Sequence, residues 1–146
     1  MQGNRKRDTR PELALRRELH RRGLRYLVDA PLPLAGLRRR SDVTFTRLRL
    51  VVFVDGCFWH GCHDHGTSPS TNATYWVQKI KTNIARDRDT DARLTEMGWA
   101  VLRVWEHEAV IDAATRVEVA LRELDRKRAG GRGSSDTDSD QRPCRV

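Results

Sequence analysis

Two short apolar runs stand out in an otherwise polar chain: Leu50-Val51-Val52-Phe53-Val54, ended by Asp55-Gly56, and Trp99-Ala100-Val101-Leu102-Arg103-Val104-Trp105, opened by Gly98. Runs of this length, rich in β-branched residues and bounded by glycine, predict buried strands. Upstream, Ser41-Asp42-Val43-Thr44-Phe45-Thr46 alternates as a half-buried strand, and Arg47-Leu48-Arg49 turns it into Leu50–Val54 as a hairpin. Leu24–Val28 predicts another short strand, followed by an ordered loop over Pro31–Gly36. Leu13, Leu15 and Leu19 mark an amphipathic helix that opens at Thr9-Arg10-Pro11-Glu12 and stops at Gly23. In that opening the Thr9 hydroxyl is expected to cap the helix and Glu12 to reach back to the cap N–H. Val77, Ile80 and Ile84 predict the inner stripe of a long helix from Asn72 or Thr74 to about Met97, with Gly98 as its stop. Val110, Ala114, Val117 and Leu121 predict a last helix from about Glu108 to Arg128. The order helix, three strands, helix, strand, helix predicts an α/β sandwich around a small mixed sheet.

With 146 residues the chain has room for one core. The expected division is a short basic arm (1–8), a domain (9–128) and a Gly/Ser/Asp-rich tail (129–146) that cannot bury a core and is expected to be disordered. A formal charge of +8 and a pI near 10.2 point to a polyanionic partner, nucleic acid first. No apolar stretch is long enough to cross a membrane and no signal segment opens the chain, so a cytoplasmic protein is expected. An odd count of 3 cysteines argues against a disulfide framework. Their placement argues for metal: Cys57-x4-Cys62-x2-His65 offers three ligands in one loop, which suits tetrahedral zinc. His107, after the last strand, is positioned to close such a site as a fourth ligand from a distant segment.

Other residues carry two readings each. Asp42, beside Arg38-Arg39-Arg40, is either a hard-cation ligand near phosphate or a strand-terminal turn residue. The three arginines are either phosphate contacts or a solvated turn. Lys79, Asn83 and Asp87 recur every four residues, as an active-site wall or as a solvated charge ladder. Trp76 is either core or a stacking residue, and Phe58-Trp59 is an odd pair of large apolar groups in a Cys/His loop.

Three blocks together carry a resemblance. Gly56-Cys57-Phe58-Trp59-His60-Gly61-Cys62, then Tyr75-Trp76-x2-Lys79-Ile80-x2-Asn83-x3-Asp87, then Gly98-Trp99-x-Val101-x3-Trp105-Glu106-His107 resemble the very-short-patch repair endonucleases, as does the opening Arg7–Glu12. The resemblance covers about residues 7 to 110. It implies a restriction-endonuclease-like three-layer sandwich with a structural zinc site. It also implies a Mg²⁺-dependent enzyme, acting as a monomer and associated with the nucleoid when bound to DNA. Such an enzyme nicks duplex DNA 5′ of the T in a T:G mismatch left by deamination of 5-methylcytosine, with a functional link to a cytosine-5 methyltransferase and to mismatch-repair proteins. Position by position, it implies that Asp42 and the Val54 backbone carbonyl bind one or two Mg²⁺. His60 and Asp87 are the catalytic pair, and Glu12 supports the site. Phe58, Trp59 and Trp76 wedge into the DNA stack, with Lys79, Asn83 and Arg38 to Arg40 along the DNA. Cys57, Cys62, His65 and His107 hold Zn²⁺. The chain departs from the family pattern at Ser41-Asp42, where a Pro-Asp pair is expected, and in its short N-terminal arm; like the family generally, it has no Glu-x-Lys on the strand Leu50–Val54. Two rival readings are a zinc-stapled DNA-binding module without catalysis, which would not need Asp42, His60 and Asp87 to converge, and a nuclease of the same fold in restriction or phage defence without mismatch preference.

Overall fold

The computed structural model describes residues 8–57 and 71–131. In chain order the elements are α1 (Arg10–Arg21), β1 (Leu27–Pro31), β2 (Arg40–Phe45), β3 (Leu50–Asp55), α2 (Ala73–Glu96), β4 (Ala100–Trp105) and α3 (Val110–Gly130). The sheet order is β1-β2-β3-β4. β1 and β2 pair antiparallel, as do β2 and β3, whereas β4 lies parallel to β3 with Val54 opposite Val104 and Asp55 opposite Trp105. The small mixed sheet of an α/β protein is therefore present, and α2 is the crossover between its two parallel strands.

The apolar run of β3 is buried on both faces, which is why it lacks the alternation of β2. Val52 and Leu50 join Val43, Phe45 and Val104 in a core that α1 closes with Leu15 and Leu19, and α3 with Ala113, Ala114, Val117 and Leu121. Val51 faces the other way, against Leu94 of α2 and the loop residues Leu32 and Leu34. Helices α1 and α3 thus cover one face of the sheet and α2 the other.

Four local expectations are corrected. The Thr9 side chain makes no capping hydrogen bond. Glu12 does reach back, but its Oε2 accepts the N–H of Asp8 at 2.9 Å, one residue before the cap. The first strand begins at Leu27 rather than Leu24, because Gly23 (φ +77°) ends α1 in a Schellman turn. In that turn the Leu24 N–H donates to the Leu19 carbonyl and Leu24 packs on the core instead of entering the sheet. Lastly, Val77 is not on an inner stripe: it is 48% exposed, Ile80 and Ile84 are half-buried, and the fully buried residues of α2 are Thr90 and Leu94.

Helix length explains the last point. The 24 residues of α2 span about 36 Å, against about 20 Å for the six-residue β4. The helix ends at Gly98 (φ +81°), next to the start of β4. Its residues Asp91 and Asp87 then lie beside Arg103, three residues into the strand. The turns before Asp87 therefore run past the carboxyl ends of β3 and β4, overhanging the site described next.

Candidate active site at the carboxyl ends of β3 and β4

Asp42, the third residue of β2, is held from across the hairpin: its Oδ2 accepts the Val54 N–H at 2.7 Å. Burial pushes its carboxyl up to about 6; the Val54 N–H and Arg16 pull it back, while the neighbouring charges of Glu12 and Asp55 push it further. Glu12, 7% exposed, accepts from Asp8 and, at 3.4 Å, from Arg16, whose other terminal nitrogen reaches Asp8 at 2.7 Å. Helix α1 thereby brings one carboxylate beside Asp42, and the end of β3 brings another. Three acidic groups meet at this place, and the raised proton affinity of Asp42 reflects first its desolvation and then the charges of Glu12 and Asp55. Oxygen donors in such a field fit a hard divalent cation such as Mg²⁺, with Val54 held beside the Asp42 carboxylate by its own N–H.

This balance has a consequence for stability. The folded-state pKa of Asp42 lies above its ordinary value of 3.8, so folding takes up a proton between those values and stability falls as pH rises from about 4 through 6. The difference corresponds to a cost on the order of 3 kcal/mol at neutral pH. Asp42→Asn is therefore expected to be more stable than the wild type at pH 8 without added Mg²⁺, and to lose that advantage at pH 4. Urea unfolding of both proteins at the two pH values checks this, and an unchanged difference between them would contradict it.

The opposite wall is α2. Asn83 and Asp87 are half-buried on the same face as Trp76 and Ile80, while Lys79 is exposed one position round the helix. Its first turn carries Tyr75, 57% exposed, edge-on to Trp76 at 5.2 Å, with the Lys79 ammonium 5.8 Å from the Tyr75 ring. Between this wall and the sheet stands Arg103, bonded to Asp55 and Asp91. Burial pulls its guanidinium down, but the bonds to Asp91 and the charge of Asp55 outweigh it and hold the group above its ordinary value. Of the three consecutive arginines, Arg38 is exposed. Arg39 instead donates to Asp89 and Thr90 of α2 at 2.8 and 2.6 Å, and Arg40 to Asp29 at 2.8 Å.

Beyond Asp55 the chain reaches Cys57, 5% exposed, whose Sγ lies 3.0 Å from Nδ1 of His107, fifty residues on. The Glu106 carboxylate accepts the Cys57 N–H at 2.8 Å, and the Trp105 ring stacks on the imidazole at 6.2 Å. A thiol and an imidazole nitrogen brought together from two segments fit half of a tetrahedral zinc set. Phe58, Trp59, His60, Cys62 and His65 lie outside the described residues. Among the described residues, no three His, Cys, Asp or Glu side chains form a metal-binding group by themselves. None of the helices they form is long and apolar enough to cross a membrane.

The sequence is similar to known proteins. The family described as DNA mismatch endonuclease Vsr matches residues 1–66. The type II nicking enzyme V.NaeI of Lentzea aerocolonigenes is 48% identical over 126 residues, which cover 86% of this chain and 76% of that protein. The chain belongs to the Vsr family. The DNA mismatch endonuclease Vsr of Escherichia coli K12 is 42% identical over 68% of this chain and 62% of its own length. The type II nicking enzyme V.NmeDIP of Neisseria meningitidis serogroup C is 36% identical and covered to 84%. As a Vsr-family protein the chain is a DNA endonuclease, a hydrolase, with DNA as its substrate.

In this Vsr-family chain, then, Asp42, Val54 and Glu12 come together, Asp87 of α2 reaches Arg103 beside Asp55, and Cys57 meets His107. Four residues of the same region have no site role in the sequence reading: Asp55, Asp91, Arg103 and Tyr75. Arg103 had a signal, since a lone arginine inside an apolar strand must find buried partners. Its partners, from β3 and α2, had none.

Proposed function

We propose that this endonuclease is Mg²⁺-dependent, has a restriction-endonuclease-like fold and nicks one strand of duplex DNA 5′ of the T in a T:G mismatch. What carries the reading is the half-buried Asp42 carboxylate, held by the Val54 N–H at the end of β3 among acidic neighbours, with Asp87 of α2 tied to the same strand end through Arg103. A DNA-binding module without catalysis has no use for a carboxylate that repels phosphate at that position. In this reading Asp42 and the Val54 carbonyl hold Mg²⁺, which when bound supplies charge neutralisation at the scissile phosphate and a more acidic water. His60, oriented by Asp87, takes up or delivers the proton of that step. Glu12, fixed by the Asp8 N–H, steadies the acidic cluster from α1. Cys57, Cys62, His65 and His107 hold one Zn²⁺, which keeps the Phe58-Trp59 loop in place. The names of V.NaeI and V.NmeDIP call those proteins nicking enzymes, which favours single-strand cutting here too. A duplex labelled on each strand in turn tests the reading: the T strand of a T:G duplex should be cut at one phosphate 5′ of the T, with the other strand intact. Cutting of both strands would contradict it.

The overhang of α2 accounts for mismatch selection. A mispaired step is already poorly stacked, so inserting a ring costs less there than between paired bases. Trp76→Ala should therefore reduce the preference for T:G over T:A duplex about 10-fold or more, while matched-duplex affinity changes less than about threefold. Competition binding on the two duplexes measures both numbers, and a variant with full mismatch preference would remove Trp76 from the wedge.

A further inference from the structure

Arg103 joins the end of β3 to α2 through nearly every donor it has. Nη1 donates to both Asp55 oxygens at 2.9 and 3.0 Å, and Nε and Nη2 donate to Asp91 at 2.9 and 2.7 Å. Nη2 also reaches the Asp87 carbonyl at 3.4 Å and stands 3.8 Å from its Oδ1. The guanidinium lies over the Phe53 ring, 4.5 Å from its centroid. A guanidinium is a rigid plane with its donors in fixed directions, so groups bound to its different edges are fixed relative to one another. Here those groups are Asp55, one bond along the chain from the Val54 that grips Asp42, and Asp87, on the opposite wall. A continuous path therefore runs from Asp42 through Val54, Asp55 and Arg103 to Asp87.

We propose that Arg103 is a positioning residue for phosphodiester cleavage: it sets the Asp87 carboxylate at its working distance from Asp42. The proposal rests on the reading above, in which Asp87 takes part in the chemistry. The role assigned to Arg103 is indirect: its bonds to Asp55 and Asp91 anchor the fork, and it serves the chemistry through Asp87. A lysine in its place keeps one charge near Asp55 but cannot span Asp55, Asp91 and Asp87 at once. The whole of α2 is also held by Leu94 in the core and by Arg39 at the next turn, so losing the fork shifts Asp87 without detaching the helix.

The test is a double-mutant cycle on the full chain with a T:G duplex and Mg²⁺. Asp87→Asn should lower kcat by the roughly 10²–10⁴-fold typical of a positioned acid–base group. Arg103→Lys should lower kcat about 10- to 100-fold with KM for DNA within about twofold, because ground-state DNA contacts are untouched. The double variant should fall less than about threefold below Asp87→Asn alone, since a residue acting through Asp87 has little left to do once Asp87 is gone. Asp91→Asn removes one anchor of the fork and should give the same pattern in milder form, which covers the case that Arg103→Lys does not fold. Leu121→Ala, which loosens the core on the face of the sheet away from α2, supplies the contrast of a structural defect: a lower Tm, with any effect on kcat multiplying with that of Asp87→Asn. If Arg103→Lys and Asp91→Asn leave kcat unchanged, or their losses multiply with that of Asp87→Asn, Arg103 is no more than a staple. If Asp87→Asn itself cuts at the wild-type rate, the reading of the site fails, and the role of Arg103 with it.

Discussion

Asp42→Ala is expected to abolish nicking in the presence of Mg²⁺, with a loss of at least about 10³-fold, because several kcal/mol of transition-state charge stabilisation would depend on the cation proposed for this carboxylate. Folding should survive. The carboxylate is destabilised by its own surroundings, with burial and the charges of Glu12 and Asp55 pushing it up to about 6, so its removal relieves a cost. Metal-free DNA binding should be unchanged or tighter, since a negative group that faces phosphate has been deleted. A binding module would show neither the loss nor the gain. Nicking rates at saturating Mg²⁺, set beside DNA affinity without Mg²⁺, measure the two together. An Asp42→Ala protein that nicks at an undiminished rate would place the metal elsewhere.

The second large effect concerns zinc. Purified protein should contain close to one Zn²⁺ per chain, and Cys57→Ser or His107→Ala should lower Tm by more than about 10 °C, because ligands from separated segments make metal affinity part of folding free energy. The two substitutions act at the ends of one 3.0 Å contact that closes a fifty-residue loop, so each alone should cost nearly as much as both together. Metal analysis and thermal unfolding of the three variants decide it. Folded, zinc-free wild-type protein, or losses that simply add, would contradict the zinc set.

What could be read from the sequence was local. The runs of β3 and β4, the stop at Gly98 and the small residues of α3 each announce themselves within a few positions, and the Gly56–Cys62 block carried the family with it. Misreadings arose where a neighbour in space overrode the local pattern. Leu24 looked like a strand residue, yet Gly23 turned it back onto Leu19. Val77 looked like part of a buried stripe, yet α2 outruns the sheet and leaves it in solvent. Arg39 reads as a phosphate contact or a solvated turn, and its partners Asp89 and Thr90, far along the chain on α2, could not be read locally. Within the site, Asp42 and Asp87 were legible as candidates. The Asp55–Arg103–Asp91 group was not, because its members lie on three elements and meet only after β3 and β4 have paired.

The most direct test of the account is the rate of strand nicking, under single-turnover conditions, on two duplexes that differ at one base pair, T:G against T:A, with and without Mg²⁺. The account predicts cutting of the T strand in the T:G duplex with Mg²⁺, at least about 10²-fold faster than in the T:A duplex, and no cutting of either without Mg²⁺. Equal rates on the two duplexes, or nicking that needs no divalent cation, would contradict it.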